Sequence, residues 1–239
     1  MMMRTTGAYA WALVIFWAVA PVANADVLLD RPFHAAGGWA QDFPDQPAHS
    51  TWIFDPFTVP SSASWDLTAA RFFGSELPGG DIGRNVMVML AISSTANRAS
   101  LGDIALVSSG VENAAAVLTF DLTGRGIHLH EGNYFLSAWV VRPFDAGDGG
   151  QWAWGTADRA TRSDQSIIHN PGGAFGLGTN PFPGERWYGG PFHQAVLLEG
   201  RVGGSDPDPM PEPSTVVLLC STLPILTLCL ATRRRRTLC

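Results

Sequence analysis

The chain predicts an all-β fold: a β-sandwich or jelly-roll-like ectodomain, with an N-terminal signal helix and a single C-terminal transmembrane helix. Three observations carry this. From Asp26 to Val202 no long window repeats apolar residues at the 3.6-residue period of an amphipathic helix. The same stretch alternates short runs rich in Val, Ile, Thr, Phe and Trp with clusters of Gly, Pro, Asn, Asp and Ser, the pattern of strands and turns. The long apolar runs stand only at the two ends, outside that stretch.

Residues 1–25 read as a secretory leader. Arg4 supplies the positive start, Ala8 to Val19 is apolar, and Ala23-Asn24-Ala25 gives the small-x-small pattern that signal peptidase accepts. Cleavage there makes Asp26 the first residue of the mature chain. No cysteine follows the apolar run, which excludes a lipoprotein anchor.

Residues 26–204 form the body. Candidate strands are Thr51–Val59, Ser64–Phe73, Asn85–Ile92, Ile104–Val107, Ala116–Leu122, Tyr134–Val141, Gln151–Thr156 and Ala195–Val202. In Tyr134–Val141 both alternating faces are apolar, which places that strand centrally or beneath a covering element. In the strand that starts at Ser64, Trp65 and Leu67 face inward and Asp66 and Thr68 outward. Gly- and Pro-rich connectors separate the strands, and residues 170–190 are expected to form an irregular excursion.

Residues 205–213 (Ser-Asp-Pro-Asp-Pro-Met-Pro-Glu-Pro) can neither pair in a sheet nor continue a helix, and are an extended linker. Residues 214–232 are mostly apolar. As a helix they reach about 28 Å, close to the roughly 30 Å hydrocarbon core of a bilayer. Residues 233–239 begin with Arg233, Arg234, Arg235 and Arg236. By the positive-inside rule these keep the tail in the cytoplasm and the body outside, which is the topology the leader also demands.

Charge and cysteine content limit the function classes. All 15 basic residues are Arg. Between Asp26 and Pro213 there are 10 Arg against 21 Asp plus Glu, a net charge of −11. Such an acidic body has no basic face for a phosphate backbone, so a nucleic-acid partner is excluded. The three cysteines, Cys220, Cys229 and Cys239, all lie in the tail. The body therefore holds no disulfide framework, thiolate metal site or cysteine nucleophile.

The order Pro211-Glu212-Pro213, apolar span, terminal Arg cluster resembles the PEP-CTERM sorting signal of Gram-negative bacteria. The resemblance covers about 27 residues. It implies recognition by exosortase, an integral-membrane cysteine protease, with processing near Pro213. It also implies delivery to the cell surface or an exopolysaccharide matrix after transient anchoring in the inner membrane. A fainter resemblance covers Gly132-Asn133-Tyr134-Phe135-Leu136-Ser137, Trp152-Ala153-Trp154 and Ala195 to Gly200. These look like the β-sandwich ectodomains that such proteins often carry, with Phe135 standing where Trp is usual. That likeness implies a fold and no activity.

No nucleophile elbow, zinc-protease helix, phosphate loop or dinucleotide fingerprint occurs in the body. His128 and His130, two apart, would share a strand face and could seed a metal site with Glu131 or His193; the simpler reading is two rim histidines, and no metal site is assigned. Asp145 and Asp148 lie in a Gly-rich loop that could wrap Ca²⁺, although the same residues suit a solvated hairpin turn. Among the tryptophans, Trp65 and Trp139 read as core. Trp152 and Trp187 lie nearest loops and are the candidates for an exposed ligand-stacking role. Nothing selects a catalytic pair of carboxylates. The expected protein is a non-enzymatic one of the surface or matrix that needs no cofactor. Its expected partners are signal peptidase, an exosortase-like protease, the membrane and exopolysaccharide. A carbohydrate-binding or adhesive module is the first alternative, and a secreted hydrolase the second.

Overall fold

A run such as Trp52-Ile53-Phe54, or Leu136 to Val140, is too short and too apolar for a surface helix, and pairs as sheet. The computed structural model describes residues 25–76, 87–113, 115–144 and 151–204. The expected leader up to Asn24, the expected linker, the apolar tail and the Arg cluster lie outside these residues, as do Asp145 and Asp148. Among the described residues no helix is long and apolar enough to cross a membrane.

The body is all-β. Its first strands are β1 (Asp26–Arg31), β2 (Ala35–Trp39), β3 (Gln41–Asp42), β4 (Trp52–Val59) and β5 (Ala63–Glu76). Next come β6 (Met87–Ser93), β7 (Ala105–Glu112), β8 (Val117–Asp121), β9 (His128–Leu129) and β10 (Gly132–Val141). The last are β11 (Trp152–Arg159), β12 (Ile167–His169), β13 (Phe182–Pro183), β14 (Phe192–Gln194) and β15 (Val196–Gly204). One short helix, α1 (Glu185–Tyr188), lies in the 170–190 excursion. Every strand read from the sequence is present, and the other seven are mostly short.

The strands join in one curled sheet in the order β1-β15-β5-β8-β7-β6-β10-β4-β12-β13, with β11, β2, β14, β3 and β9 attached beside this path. Pairing is antiparallel except between β10 and β3. β7 turns the corner: Ala105 to Gly110 pair with β6, whereas Val111 and Glu112 pair with β8. β10 is central, with β4 on one side and β6 on the other, and Leu136 to Val140 are all buried.

β5 follows the expected alternation only at its start. Trp65 and Leu67 are buried and Asp66 is exposed, but further along Ala70 and Phe72 are the buried residues. Leu67 pairs with Gly200 and Ala69 with Glu199, so Thr68 is an extra residue on β5. This bulge moves the inward side from odd to even positions.

The core is strongly aromatic. Phe72 packs edge-on to Phe120 at 5.6 Å and to Trp154 at 5.2 Å. Trp152 and Trp154 are fully buried and donate their indole N–H groups to the carbonyls of Ala116 (2.9 Å) and Ala195 (2.8 Å). At Gly74 a Cβ would stand 2.4 Å from Trp152 Nε1, so only glycine lets that ring lie on the backbone.

His169 fastens the excursion to the sheet. It is 5 % exposed. Its Nδ1 accepts from the main-chain N–H of Arg98 at 3.0 Å, and its Nε2 lies 3.1 Å from the Thr179 carbonyl. This is the neutral imidazole with its proton on Nε2. Burial holds its pKa below the ordinary 6.5, against the Thr179 carbonyl, which pulls it up; the charge of Arg98 lowers it further. Below pH 6.5 the unfolded chain therefore binds a proton at this site that the folded chain resists. The stability contributed is full above that pH and falls as pH drops through the lowered folded value. Urea midpoints measured from pH 7.5 to 5 should fall toward acid, and His169→Gln should flatten that slope. An unchanged slope would remove His169 from the cause.

Candidate functional site

The structure corrects one expected ligand residue. Trp152 is fully buried, on a strand that pairs with β5, and cannot stack on a ligand. It follows a loop in sequence, but it begins a strand whose residues 152–157 are all buried.

Trp187 lies on α1 and is half-buried. It belongs to a chain of rings: it packs edge-on to Trp39 at 5.7 Å and parallel to Phe182 at 6.5 Å. Trp39 in turn meets Phe175 at 5.4 Å, and Phe175 meets His49 at 5.2 Å. The Trp39 planes stand at 58° and 80° to their neighbours, so the rings interlock and form no flat platform.

His128 and His130 do share an edge, with ring centroids 4.6 Å apart, and His128 Nδ1 is 2.6 Å from Asp66 Oδ1. Glu131 is used elsewhere and accepts from the Ser62 N–H at 3.0 Å. His193 stands apart on β14, between Asp55 and Asp164. Among the described residues no three His, Cys, Asp or Glu side chains are grouped to hold a metal ion. Ala25 and Asp26, at the expected leader cleavage, are described, and Asp26 opens β1.

Two polar arrangements were not legible in the sequence. The first is centred on Asp55, in β4 and 1 % exposed. Arg31, at the end of β1, forms an ion pair with its Oδ2 and donates to the Pro56 carbonyl at 2.9 Å. Asp55 Oδ1 accepts from Ser166 Oγ at 2.8 Å and from the Gln194 main-chain N–H at 3.1 Å. One carboxylate thus ties β1, β4, β14 and the approach to β12 together. His193 lies 3.5 Å from Asp55 through Nδ1 and 3.5 Å from Asp164 through Nε2. Ser, His and Asp meet here, but not in the order that activates a nucleophile. That order needs Ser to donate to His and His to Asp. Here the serine donates directly to the carboxylate and is itself fully buried.

The second arrangement is a cleft beside β11. On one side Trp154 pairs with Gly38 but Thr156 with Ala35; on the other Thr156 pairs with Gln194 but Arg159 with Phe192. Both neighbours lose register around Thr156, and the sheet opens there. The opening is a half-open cleft of about 440 Å³ between His34, Phe192 and residues 156–159. Successive residues of a regular strand point to opposite faces. The extra residue on β11 before Arg159 breaks that rule and brings both Asp158 and Arg159 to the same cleft. Among the described residues the side chains of His34, Asp158 and Arg159 have no hydrogen-bond or ion-pair partner. Phe33, 46 % exposed, lies across Gly155: a Cβ on that glycine would stand 2.3 Å from its ring.

No family model matches the chain, and no curated protein or solved structure matches it either.

Proposed function

We propose that this protein is an exported, non-enzymatic component of the cell surface or extracellular matrix, sorted through a PEP-CTERM signal by an exosortase-like protease. In this reading the curled sheet is a β-sandwich ectodomain: the strip β15-β5-β8 faces the strip β6-β10-β4, with β7 as the corner. One observation carries the proposal. Among the described residues the strands run from β1, which begins at Asp26, to β15, which ends at Gly204, the bounds expected of a body set between two targeting segments. Leader cleavage after Ala25 and processing near Pro213 would each cut beside the folded body and leave it whole. Membrane passage falls to residues 214–232, and Arg233 to Arg236 hold the orientation. The non-enzymatic reading is supported by the Asp55 group, whose Ser166 is closed to solvent and committed to structural bonds.

Intact-mass measurement of the protein from an exosortase-bearing host tests the proposal. The expected product starts at Asp26 and ends near Pro213, while a host without exosortase retains the tail. A tail that stays intact in both hosts overturns the sorting assignment. Neutral replacement of Arg233 to Arg236 should reduce surface delivery.

A further inference from the structure

We propose that the cleft beside β11 binds a neutral pyranose ring of a polysaccharide chain. Its walls offer the chemistry a sugar needs. Asp158 can accept hydrogen bonds from two neighbouring hydroxyls through its two carboxylate oxygens. Arg159 can donate several from a fixed planar fork, and His34 can donate through one ring nitrogen and accept through the other. These three side chains have no partner within the described protein. They keep their full bonding capacity for a ligand, and binding breaks no internal bond. Phe192, half-buried in the wall, gives an apolar surface for the C–H face of the ring. A volume of about 440 Å³ falls within the range of ligand pockets.

Charge selects neutral sugars over acidic ones. The carboxylate of Asp158 offsets the guanidinium beside it, so the cleft carries no net attraction for an anion. The surrounding body, with 10 Arg against 21 acidic residues between Asp26 and Pro213, repels a polyanion. The cleft is half-open, so a ring of a polymer can enter it while the rest of the chain stays in solvent. Its shape comes from two register irregularities in a paired sheet, and so exists before any ligand arrives.

The proposal deepens the surface-protein reading by naming its partner, and it rests on that reading only for where the polysaccharide would be met. The full chain in detergent micelles is titrated calorimetrically with three neutral probes: β-1,4-glucohexaose, α-1,4-glucohexaose and β-1,4-mannohexaose. Oligogalacturonate and free phenylalanine serve as the anionic and zwitterionic arms. At least one neutral hexasaccharide is expected to bind. Asp158→Asn and Arg159→Gln should each weaken binding about tenfold, the effect of one lost charge-assisted contact. Trp187→Phe, in the ring chain away from the cleft, should leave it unchanged. Both cleft substitutions lie on exposed side chains, and unaltered near-UV dichroism verifies that each variant is folded. Binding by none of the neutral probes, binding by the anionic or zwitterionic arm alone, or cleft variants as tight as the parent would each overturn the assignment. An uncut tail in the sorting experiment would leave this titration untouched, so the two readings fail separately.

Discussion

Asp55→Ala should lower the free energy of unfolding by about 3–5 kcal/mol, the range for breaking one partner out of a buried ion pair. The cost comes from what remains. Arg31, only 15 % exposed at its side chain, would keep a guanidinium without its counter-charge. The Ser166 hydroxyl would keep the Phe192 carbonyl and the Gln194 side chain, but the Gln194 main-chain N–H would lose its acceptor. Each stranded buried donor adds a desolvation penalty of about 1–3 kcal/mol, so the loss cannot resemble that of a surface pair. Equilibrium urea unfolding checks this. A change below about 1 kcal/mol would mean that water reaches the site and the pair behaves as an exposed one. Asp55→Asn should cost less, because its amide oxygen can still accept from Ser166 and Gln194.

Trp152→Ala should cost a similar amount, about 3–5 kcal/mol, as expected for deleting a fully buried large aromatic. The indole fills the space above Gly74 and carries a hydrogen bond to the Ala116 carbonyl. Small cavities of this kind collapse poorly in a sheet whose strands are pinned on both edges. Trp152→Phe keeps most of the volume and loses the hydrogen bond, for a smaller penalty of about 1 kcal/mol. Trp187→Ala should cost less than Trp152→Ala, since its ring is only half-buried. If thermal unfolding ranked the two tryptophans the other way, the core would be wrongly placed.

That contrast shows where sequence reading works on this chain. The eight long strands declare themselves through runs of β-branched and aromatic residues longer than any turn. The short ones do not. Ala35-Ala36-Gly37-Gly38-Trp39 has a loop composition, and becomes β2 only because β11 supplies its partner. Trp152 and Trp154 were one pattern in the sequence, yet only the neighbour relations of β11 decide that both are enclosed. Asp55 precedes Pro56, a pair that normally marks a break. Here both stand inside β4, and a charge buried within a strand has no signature of its own. The cleft was invisible for a related reason. Asp158 and Arg159 continue β11 beyond its apolar run, and only a bulge turns both toward one side. Thr68 likewise shifts the phase of β5, and no residue type announces it.

The place of β15 has a consequence for the order of events in folding, and so for the export proposed above. β15 lies between β1 and β5 and, among the described residues, is the only partner β1 has in the sheet path. Asp26 pairs with Gly200, so the first strand to leave the ribosome is completed by the last. Such pairing pays the closure cost of nearly the whole body before it gains any contact. The β1–β15 edge therefore cannot form until residues 196–204 have been made and released. In the export proposed above, that edge would lock only when residues 196–204 have reached the far side.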